Sequence, residues 1–495
     1  MPDEHTSLNQ LIAFRKEKLM KLRENGVNPY PYSYEVTHTS QEILEDFSSH
    51  EQKSVALAGR IMSLRKMGKA AFCHIQDSKN RIQIYVKRDD VGNSEYANFK
   101  LLDLGDYIGV KGYVFKTKTD EISIHAEEIT ILAKSVRPIP IVKEKEGETF
   151  DAFTDKEQRY RNRHLDLIVN PEQREIFKIR AAIISGLRNY LDSRGYVEVE
   201  TPILQPLYGG ANARPFVTHH NTLDQDLYLR IADELYLKRL IIGGFEKVYE
   251  ISKVFRNEGM DRNHNPEFTM LEFYQAYVDY EYMMDLVENM IRTICESVGP
   301  LVRNWSDEKI DFSKPFRRIP ILDLIEKYTG KNVTNAKVED LKAIFVELNL
   351  EIPDSYNYGL LLDMIMNQVV EPNLIQPVFV IDHPKAVSPL AKQHRSGNAA
   401  IVERFELFIG GMEFANAFSE LNDPIDQRRR FEDQVRLGAA GDEEAHPLDE
   451  NFLEAVESGM PPTGGVGIGV DRLTMLLTEN RSIKDVILFP AMRTS

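Results

Sequence analysis

Val254-Phe255-Arg256-Asn257-Glu258-Gly259-Met260-Asp261-Arg262-Asn263-His264-Asn265-Pro266-Glu267-Phe268-Thr269-Met270-Leu271-Glu272-Phe273-Tyr274 is the most informative segment of the chain. An apolar strand, Val248–Phe255, runs into Arg256-x-Glu258, then a Gly/Asp/Asn loop, then a returning strand. On that second strand Phe268, Met270, Glu272 and Tyr274 alternate with Thr269, Leu271 and Phe273, so one face carries an aromatic ring, a carboxylate and a phenol. A purely structural hairpin has little use for so many polar groups at one end.

Two further segments are unlike scaffold. Gly195-Tyr196-Val197-Glu198-Val199-Glu200-Thr201-Pro202 reads as a helix stop, an alternating strand and a terminating proline. Gly464–Gly469 reads as a Gly-rich strand leading into the apolar helix Val470–Leu477, with Arg472 at its mouth. The glycines of 464–469 lack the spacing of a dinucleotide fingerprint, and no phosphate-binding Gly-x-x-x-x-Gly-Lys-Ser/Thr loop occurs. The Lys-x-Asp-Gly of barrel-bearing nucleic-acid ligases is absent too. Lys66-Met67-Gly68-Lys69 imitates a catalytic lysine loop but sits at a strand turn. His219-His220, adjacent on a strand, point to opposite faces and read as strand polar residues rather than a metal pair.

The rest of the chain sets the frame. Its 495 residues imply two to four domains, and 42% hydrophobic residues supply real cores. Two cysteines, Cys73 and Cys295, exclude a disulfide framework or zinc cluster and fit a reducing compartment. The polar start Met1-Pro2-Asp3-Glu4-His5 is unlike a signal peptide, and no apolar run approaches membrane-spanning length, so a cytoplasmic protein is expected. Residues 1–50 read as a helical extension, with a basic amphipathic helix at Leu8–Glu24, either solvated or touching phosphates. Period-two runs at Val55–Leu64, Ala71–Asp77, Arg81–Lys87, Tyr107–Phe115 and Ile122–Leu132, with a helical stretch at Glu95–Leu104, predict a five-stranded OB barrel over 51–135. Over Val55–Lys134 there are 13 Lys and Arg against 10 Asp and Glu, a net +3 in a chain of net charge −16. A polyanion belongs on that barrel. A Pro- and charge-rich linker (136–170) follows. Beyond it, 171–495 mixes helices (Pro171–Arg194, Tyr280–Val298) with Gly-bounded strands and carries a helix-rich insertion at about 305–375.

The three segments, in this order and behind an OB barrel, resemble the signature motifs of class II aminoacyl-tRNA synthetases of the aspartyl/asparaginyl/lysyl subgroup. Further strings narrow the likeness: Gly209-Gly210-Ala211-Asn212-Ala213-Arg214-Pro215-Phe216, Arg230-Ile231-Ala232-Asp233-Glu234-Leu235-Tyr236-Leu237-Lys238, Val387-Ser388-Pro389-Leu390-Ala391-Lys392, Asn416-Ala417-Phe418-Ser419-Glu420-Leu421-Asn422-Asp423 and Val486-Ile487-Leu488-Phe489-Pro490. Together they resemble the bacterial-type lysyl-tRNA synthetase family over nearly the whole chain. The fold that follows is α+β: the barrel plus an antiparallel sheet flanked by helices.

The resemblance implies a lysine–tRNA ligase that uses ATP, L-lysine and tRNA(Lys), with Mg²⁺ as cofactor and a homodimer built on the Gly195–Pro202 motif. Catalysis would rest on positioning and charge stabilisation, with no protein nucleophile. It assigns Arg256 to the α-phosphate and the lysine carboxylate, and Arg472 to the adenine face and γ-phosphate. Phe268 would stack on the other adenine face, and Glu258 and His264 would contact the nucleotide. Glu406 and Glu413 bracket Phe408-Ile409-Gly410-Gly411, a spacing a strand–turn–strand closes. By themselves they read as surface acids; in the family context they hold magnesium. Glu420 and Tyr274 would meet the ε-ammonium, with Phe418 along the methylenes. Glu234, Glu272, Asn416 and Gly210 would serve the α-amino and carboxylate end or support the far end. The bland alternative for Glu420 is a cap on the Asn-Asp turn. In the barrel, Phe72 would stack on an anticodon base and Gln83 would hydrogen-bond one; Phe72 as an inward core residue is the other reading. Arg65 and Lys66 are weaker phosphate candidates. Rival functions are an aspartyl- or asparaginyl-type synthetase, a non-catalytic RNA-binding paralogue, and an enzyme that lysylates a protein.

Overall fold

The period-two runs close on themselves. In the computed structural model, which describes residues 7–140, 143–145, 148–150, 153–334, 336–352, 356, 358–439 and 447–493, strands β1 (Ser54–Met67), β2 (Ala70–Gln76), β3 (Arg81–Lys87), β4 (Tyr107–Lys116) and β5 (Ile122–Ala133) form a closed barrel in the order β1-β2-β3-β5-β4. Alternation sends Leu57, Ile61, Cys73, Ile84, Val110 and Ile124 inside. Helix α1 (Leu8–Glu24) is closed at its start by a capping box between Ser7 and Gln10. Two of its basic residues turn inward: Arg15 donates to the carbonyls of Leu104 and Ser135, and Lys18 pairs with Asp103. Of the two helices between β3 and β4, the second, α2 (Asn93–Phe99), ends before the expected Leu104. Asp106 accepts the amide of Asp103 and Gly105 takes a positive φ of 97°, so the chain turns there instead.

The chain divides into units Met1–Phe153 and Thr154–Ser495. Of the 136–170 linker, residues 141–142, 146–147 and 151–152 lie outside the described residues, as does the Met1–His5 start. The second unit is built on an eight-stranded sheet whose members are β6 (Val197–Glu198), β7 (Lys247–Phe255), β8 (Glu267–Ala276), β9 (Arg317–Pro320), β10 (Val378–Ile381), β11 (Arg404–Ile409), β12 (Met412–Ser419) and β13 (Thr463–Gly469). They lie in the order β9-β10-β11-β12-β13-β8-β7-β6. All the central pairings are antiparallel; the two edge pairings, β9 with β10 and β6 with β7, are parallel. Helices α3 (Gln173–Asp192) and α5 (Tyr280–Val298) bury Ile183, Leu187, Val287, Met290, Ile291 and Ile294 in one core with Leu271, Phe273, Val466 and Ile468 of the sheet. The label α4 belongs to Glu234–Ile242, α6 to Pro424–Ala439 and α7 to Val470–Leu477.

The stretch 305–375 is helical only in part. Val302–Trp305 and Glu308–Asp311 pair as a hairpin, and Arg317–Pro320 is β9 of the main sheet. Helices begin at Ile321 and pack Leu324, Leu341, Phe345 and Leu362 against Val378, Val380 and Phe408. Arg317-Arg318-Ile319-Pro320 is too short and polar for periodicity to mark as a strand; the buried run Val378–Val380 beside it recruits it.

Candidate active site

Sheet register builds the site. On β13, Gly465 lies opposite Tyr274 on one side and Phe418 on the other, and Gly467 lies likewise between Glu272 and Asn416. Four functional side chains therefore stand in two rows over a glycine floor. A Cβ at Gly465 would overlap both Glu420 Oε1 and the Tyr274 ring. At Gly465 the residue is glycine because the side chains above it need the room.

The cavity over this floor measures about 420 Å³. Every catalytic-unit residue named from the sequence lines it: Gly210, Glu234, Arg256, Glu258, His264, Phe268, Glu272, Tyr274, Glu406, Glu413, Asn416, Phe418, Glu420 and Arg472. At one end sits Glu420, buried, with no hydrogen-bond partner for Oε1 among the described residues. Burial pushes its carboxyl well above the usual carboxylate range, and the nearby Lys238 opposes that. Beside it the Tyr274 hydroxyl donates to Glu272 Oε2 at 3.1 Å, leaving its oxygen lone pairs for an incoming N–H. Glu272 Oε1 accepts the amide of Asp233 at 2.9 Å. The roles of Glu234 and Glu272, indistinct in sequence, differ in their partners. Glu272 is fixed by neutral donors, whereas Glu234 pairs with Lys238 at 2.5 Å. Gly210 holds a φ of 87°, and a Cβ there would press on Ala232 and Glu234 at 3.0 Å.

At the other end two guanidinium groups face acids. Arg256 is half-buried, its Nε shielded and without a hydrogen-bond partner among the described residues, and its guanidinium lies 5.2 Å from the centre of the Phe268 ring. A guanidinium with an unpartnered, shielded N–H suits an oxyanion. Arg472, in the first turn of α7, donates to the Glu413 carbonyl at 2.6 Å and to His264 Nε2 at 3.1 Å. His264 Nε2 must therefore accept, which places the ring proton on Nδ1, toward Asp261 at 2.8 Å. The neighbouring Asp471 accepts the Thr269 amide and pairs with Arg180 at 2.6 Å, tying the start of α7 to β8 and α3.

Glu406 and Glu413 stand on the adjacent strands β11 and β12, next to a bulge at Leu407/Phe408. Burial first, then Glu406, raises the Glu413 carboxyl. That mutual repulsion is what a divalent cation relieves, and two carboxylates completed by phosphate oxygens are a donor set magnesium accepts. Among the described residues no group of three or more His, Cys, Asp or Glu stands ready to hold a metal by itself.

Some participants were missed in the sequence. Arg404 donates to Glu406 at 2.5 Å and to Asn416 at 3.1 Å, bridging the two ends of the cavity. Glu371 faces Glu413 and Glu406, and burial with their charge lifts it to about 7. Nothing in the sequence ties Arg404 or Glu371 to the motifs. Lys238 carried a legible signal, its i,i+4 spacing from Glu234 on one helix.

In the barrel unit Phe72 points outward, half-buried, its ring 4.9 Å from that of Tyr85, while Ala71 and Cys73 face the core. Gln83 is buried, donating to Glu121 at 2.6 Å and accepting from Ser123 at 2.9 Å. Lys66 is spent on the carbonyls of Lys100 and Leu102 at 2.7 and 3.1 Å. No described helix is long and apolar enough to cross a membrane.

Comparison with known proteins matches both units. Residues 55–132 fit the family described as OB-fold nucleic acid binding domain, and residues 155–493 fit tRNA synthetases class II (D, K and N). A Lysine--tRNA ligase of Carboxydothermus hydrogenoformans is 52% identical over 494 residues, covering 99% of both chains. That of Moorella thermoacetica is 51% identical over 487 residues, 98% of each. One from Porphyromonas gingivalis is 50% identical over 497 residues, 98% of this chain and 86% of its own. With the glycine-floored sheet, the paired arginines and likeness along almost the full length all in agreement, this chain belongs to the class II tRNA synthetases of the D, K and N group.

Proposed function

We propose that this chain is a lysine–tRNA ligase: it joins L-lysine to ATP as lysyl-adenylate with release of pyrophosphate, then passes the lysyl group to the 3′ end of tRNA(Lys). The observation that carries the choice of amino acid is Glu420. It is a buried carboxylate whose Oε1 has no hydrogen-bond partner among the described residues, beside a Tyr274 oxygen free to accept. An alkyl ammonium satisfies both, with its methylenes along Phe418. A pocket for aspartate or asparagine would present a free cation or amide to the substrate side chain; here Arg404 and Asn416, which also line the cavity, bond each other at 3.1 Å, and the group with an unpartnered atom beside Tyr274 is Glu420.

In the first step a lysine carboxylate oxygen attacks the α-phosphorus as the bond to pyrophosphate breaks. Arg256 draws the two anions together and follows the charge into the transition state. Phe268 and Arg472 sandwich the adenine, Arg472 also meets the γ-phosphate, and Glu258 and His264 hold the nucleotide. Glu234, Glu272, Asn416 and Gly210 orient the amino-acid end. Glu406 and Glu413 would hold Mg²⁺, which supplies charge neutralisation on the phosphates. In the second step a terminal ribose hydroxyl attacks the lysyl carbonyl and AMP leaves. The barrel takes the anticodon, with Phe72 stacking on a base and Gln83 bonding one. The protein is read as a cytoplasmic homodimer joined through the β6 edge. Exposed Val197, Ile203, Leu204 and Leu207 support that edge as an interface.

ATP–pyrophosphate exchange across twenty amino acids, with and without tRNA, tests this. Lysine alone is expected to support exchange. Glu420→Gln is expected to keep ATP binding and lose lysine-dependent exchange; near-normal exchange in that variant would sink the assignment.

A further inference from the structure

Behind the wall of the amino-acid slot lies a charge that the reaction itself does not require. Lys238, one turn after Glu234 on α4, is fully buried and does not line the cavity, although both of its carboxylate partners do. Its ammonium meets Glu234 Oε1 at 2.5 Å and Glu420 Oε2, and stands 5.4 Å and 5.9 Å from the ring centres of Phe418 and Phe452. Burial works against its charge, yet the two carboxylates more than reverse this and raise its affinity for the proton. Burial raises both carboxyl groups in turn; Lys238 opposes it at each, and Arg404 adds to that at Glu234.

Lys238 with its two partners, Glu234 and Glu420, makes a cluster of two carboxylates and one built-in ammonium with a single negative charge; Glu272 stands beside it, held by the Asp233 amide and the Tyr274 hydroxyl. A mobile proton would produce the same net charge, but it could settle on either carboxyl group and on either oxygen. A protonated Oε1 would then confront an incoming ammonium with another donor. Lys238 engages Glu420 from the rear, at Oε2, and Oε1 remains an acceptor over Gly465 beside the Tyr274 ring.

We propose that Lys238 is a positioning residue for amino-acid selection: an internal ammonium held behind Glu420 at Oε2 that favours its ionised form and keeps Oε1 facing forward as an acceptor, so that the slot takes a monocationic side chain. The proposal rests on the reading that Glu420 receives the substrate ammonium, so the experiment separates the two.

Lysine-dependent pyrophosphate exchange is measured on the full chain, wild type, Lys238→Met and Lys238→Ala, with folding followed by circular dichroism. Removing one partner of a buried ion cluster is expected to raise the lysine KM about 30-fold or more, while kcat and the ATP KM stay within about threefold. The advantage of lysine over its neutral isostere norleucine should shrink in parallel. In Lys238→Ala, n-propylammonium has the shape of the missing atoms and should restore the lysine KM; it should not do so in Lys238→Met, where the space is filled. A merely structural lysine would show no such rescue. A lysine KM within about threefold of wild type in Lys238→Met, or no response of a folded Lys238→Ala to n-propylammonium, overturns the role. If the alanine variant is not recovered folded, the methionine variant, which keeps the apolar packing, decides. Unchanged lysine activation in Glu420→Gln would instead remove the reading of the slot, whatever Lys238 does.

Discussion

Gly465 shows how much chemistry a missing side chain can permit. It lies between Tyr274 and Phe418, and any Cβ there strikes Tyr274 and Glu420 together. Gly465→Ala is therefore expected to raise the lysine KM at least about tenfold, since overpacking a rigid site displaces the groups that bind. The ATP KM should hardly change, because Arg256 and Arg472 lie at the other end of the cavity; steady-state exchange kinetics would read the split. On the proposed role of Arg256 the fork matters rather than the charge. Lysine there keeps the positive charge but cannot hold two oxyanions at once, so Arg256→Lys should slow single-turnover adenylate formation by about 100-fold in a protein that still folds.

At the scale of elements, α6 supports the cavity from outside. Arg430 donates to the carbonyls of Ser388 and Ala391 at 3.0 and 2.7 Å, and the Val387–Leu390 segment lines the cavity. Asp426, one turn earlier, holds Arg430 in place at 2.6 Å. Burial alone would lift the Asp426 carboxyl, but Arg430, with Arg429 and Lys385, takes it down to about 2. A depressed acid stabilises the fold above its unfolded value, and that contribution disappears as pH falls through the folded value. The difference in urea midpoint between wild type and Asp426→Asn should thus be full at about pH 5 and narrow steadily below about pH 4. A gap that stays constant with pH would mean Asp426 acts by shape alone. The same scale explains where periodicity misled. β9 is four residues long and joins the sheet by pairing with β10, and α2 ends where an Asp103–Asp106 turn takes over.

For the whole molecule, two units divide the labour. Phe72 belongs to the barrel and the proposed adenylate site to the second unit, so Phe72→Ala should slow tRNA charging by about one stacking interaction, roughly 1–3 kcal/mol, and leave pyrophosphate exchange intact. Equal loss in both assays would make Phe72 a folding residue. The exposed apolar residues beside β6 give a second test. If the proposed homodimer forms through that edge, sedimentation velocity will find wild type as a dimer and Leu204→Asp as a monomer; a dimer unshifted in the variant would place the interface elsewhere.

Much of this was legible in the chain because the information is local or ordered along it. Alternation alone indicates which face of β2 is buried, the net charge of the barrel stands out against an acidic protein, and the three motifs follow in sequence with their glycines and arginines in place. What the linear order could not contain are the contacts made across the sheet. Glu420 and Glu234 are far apart in sequence yet share one ammonium from Lys238. Arg404 links Glu406 to Asn416 because β11 and β12 lie side by side. Glu371 acquires a value near 7 only because folding buries it against two other acids. Spacing along the chain can propose which groups carry charge; which charges meet, and how dry the place of meeting is, depends on strand register and burial, and those exist only once the sheet has formed.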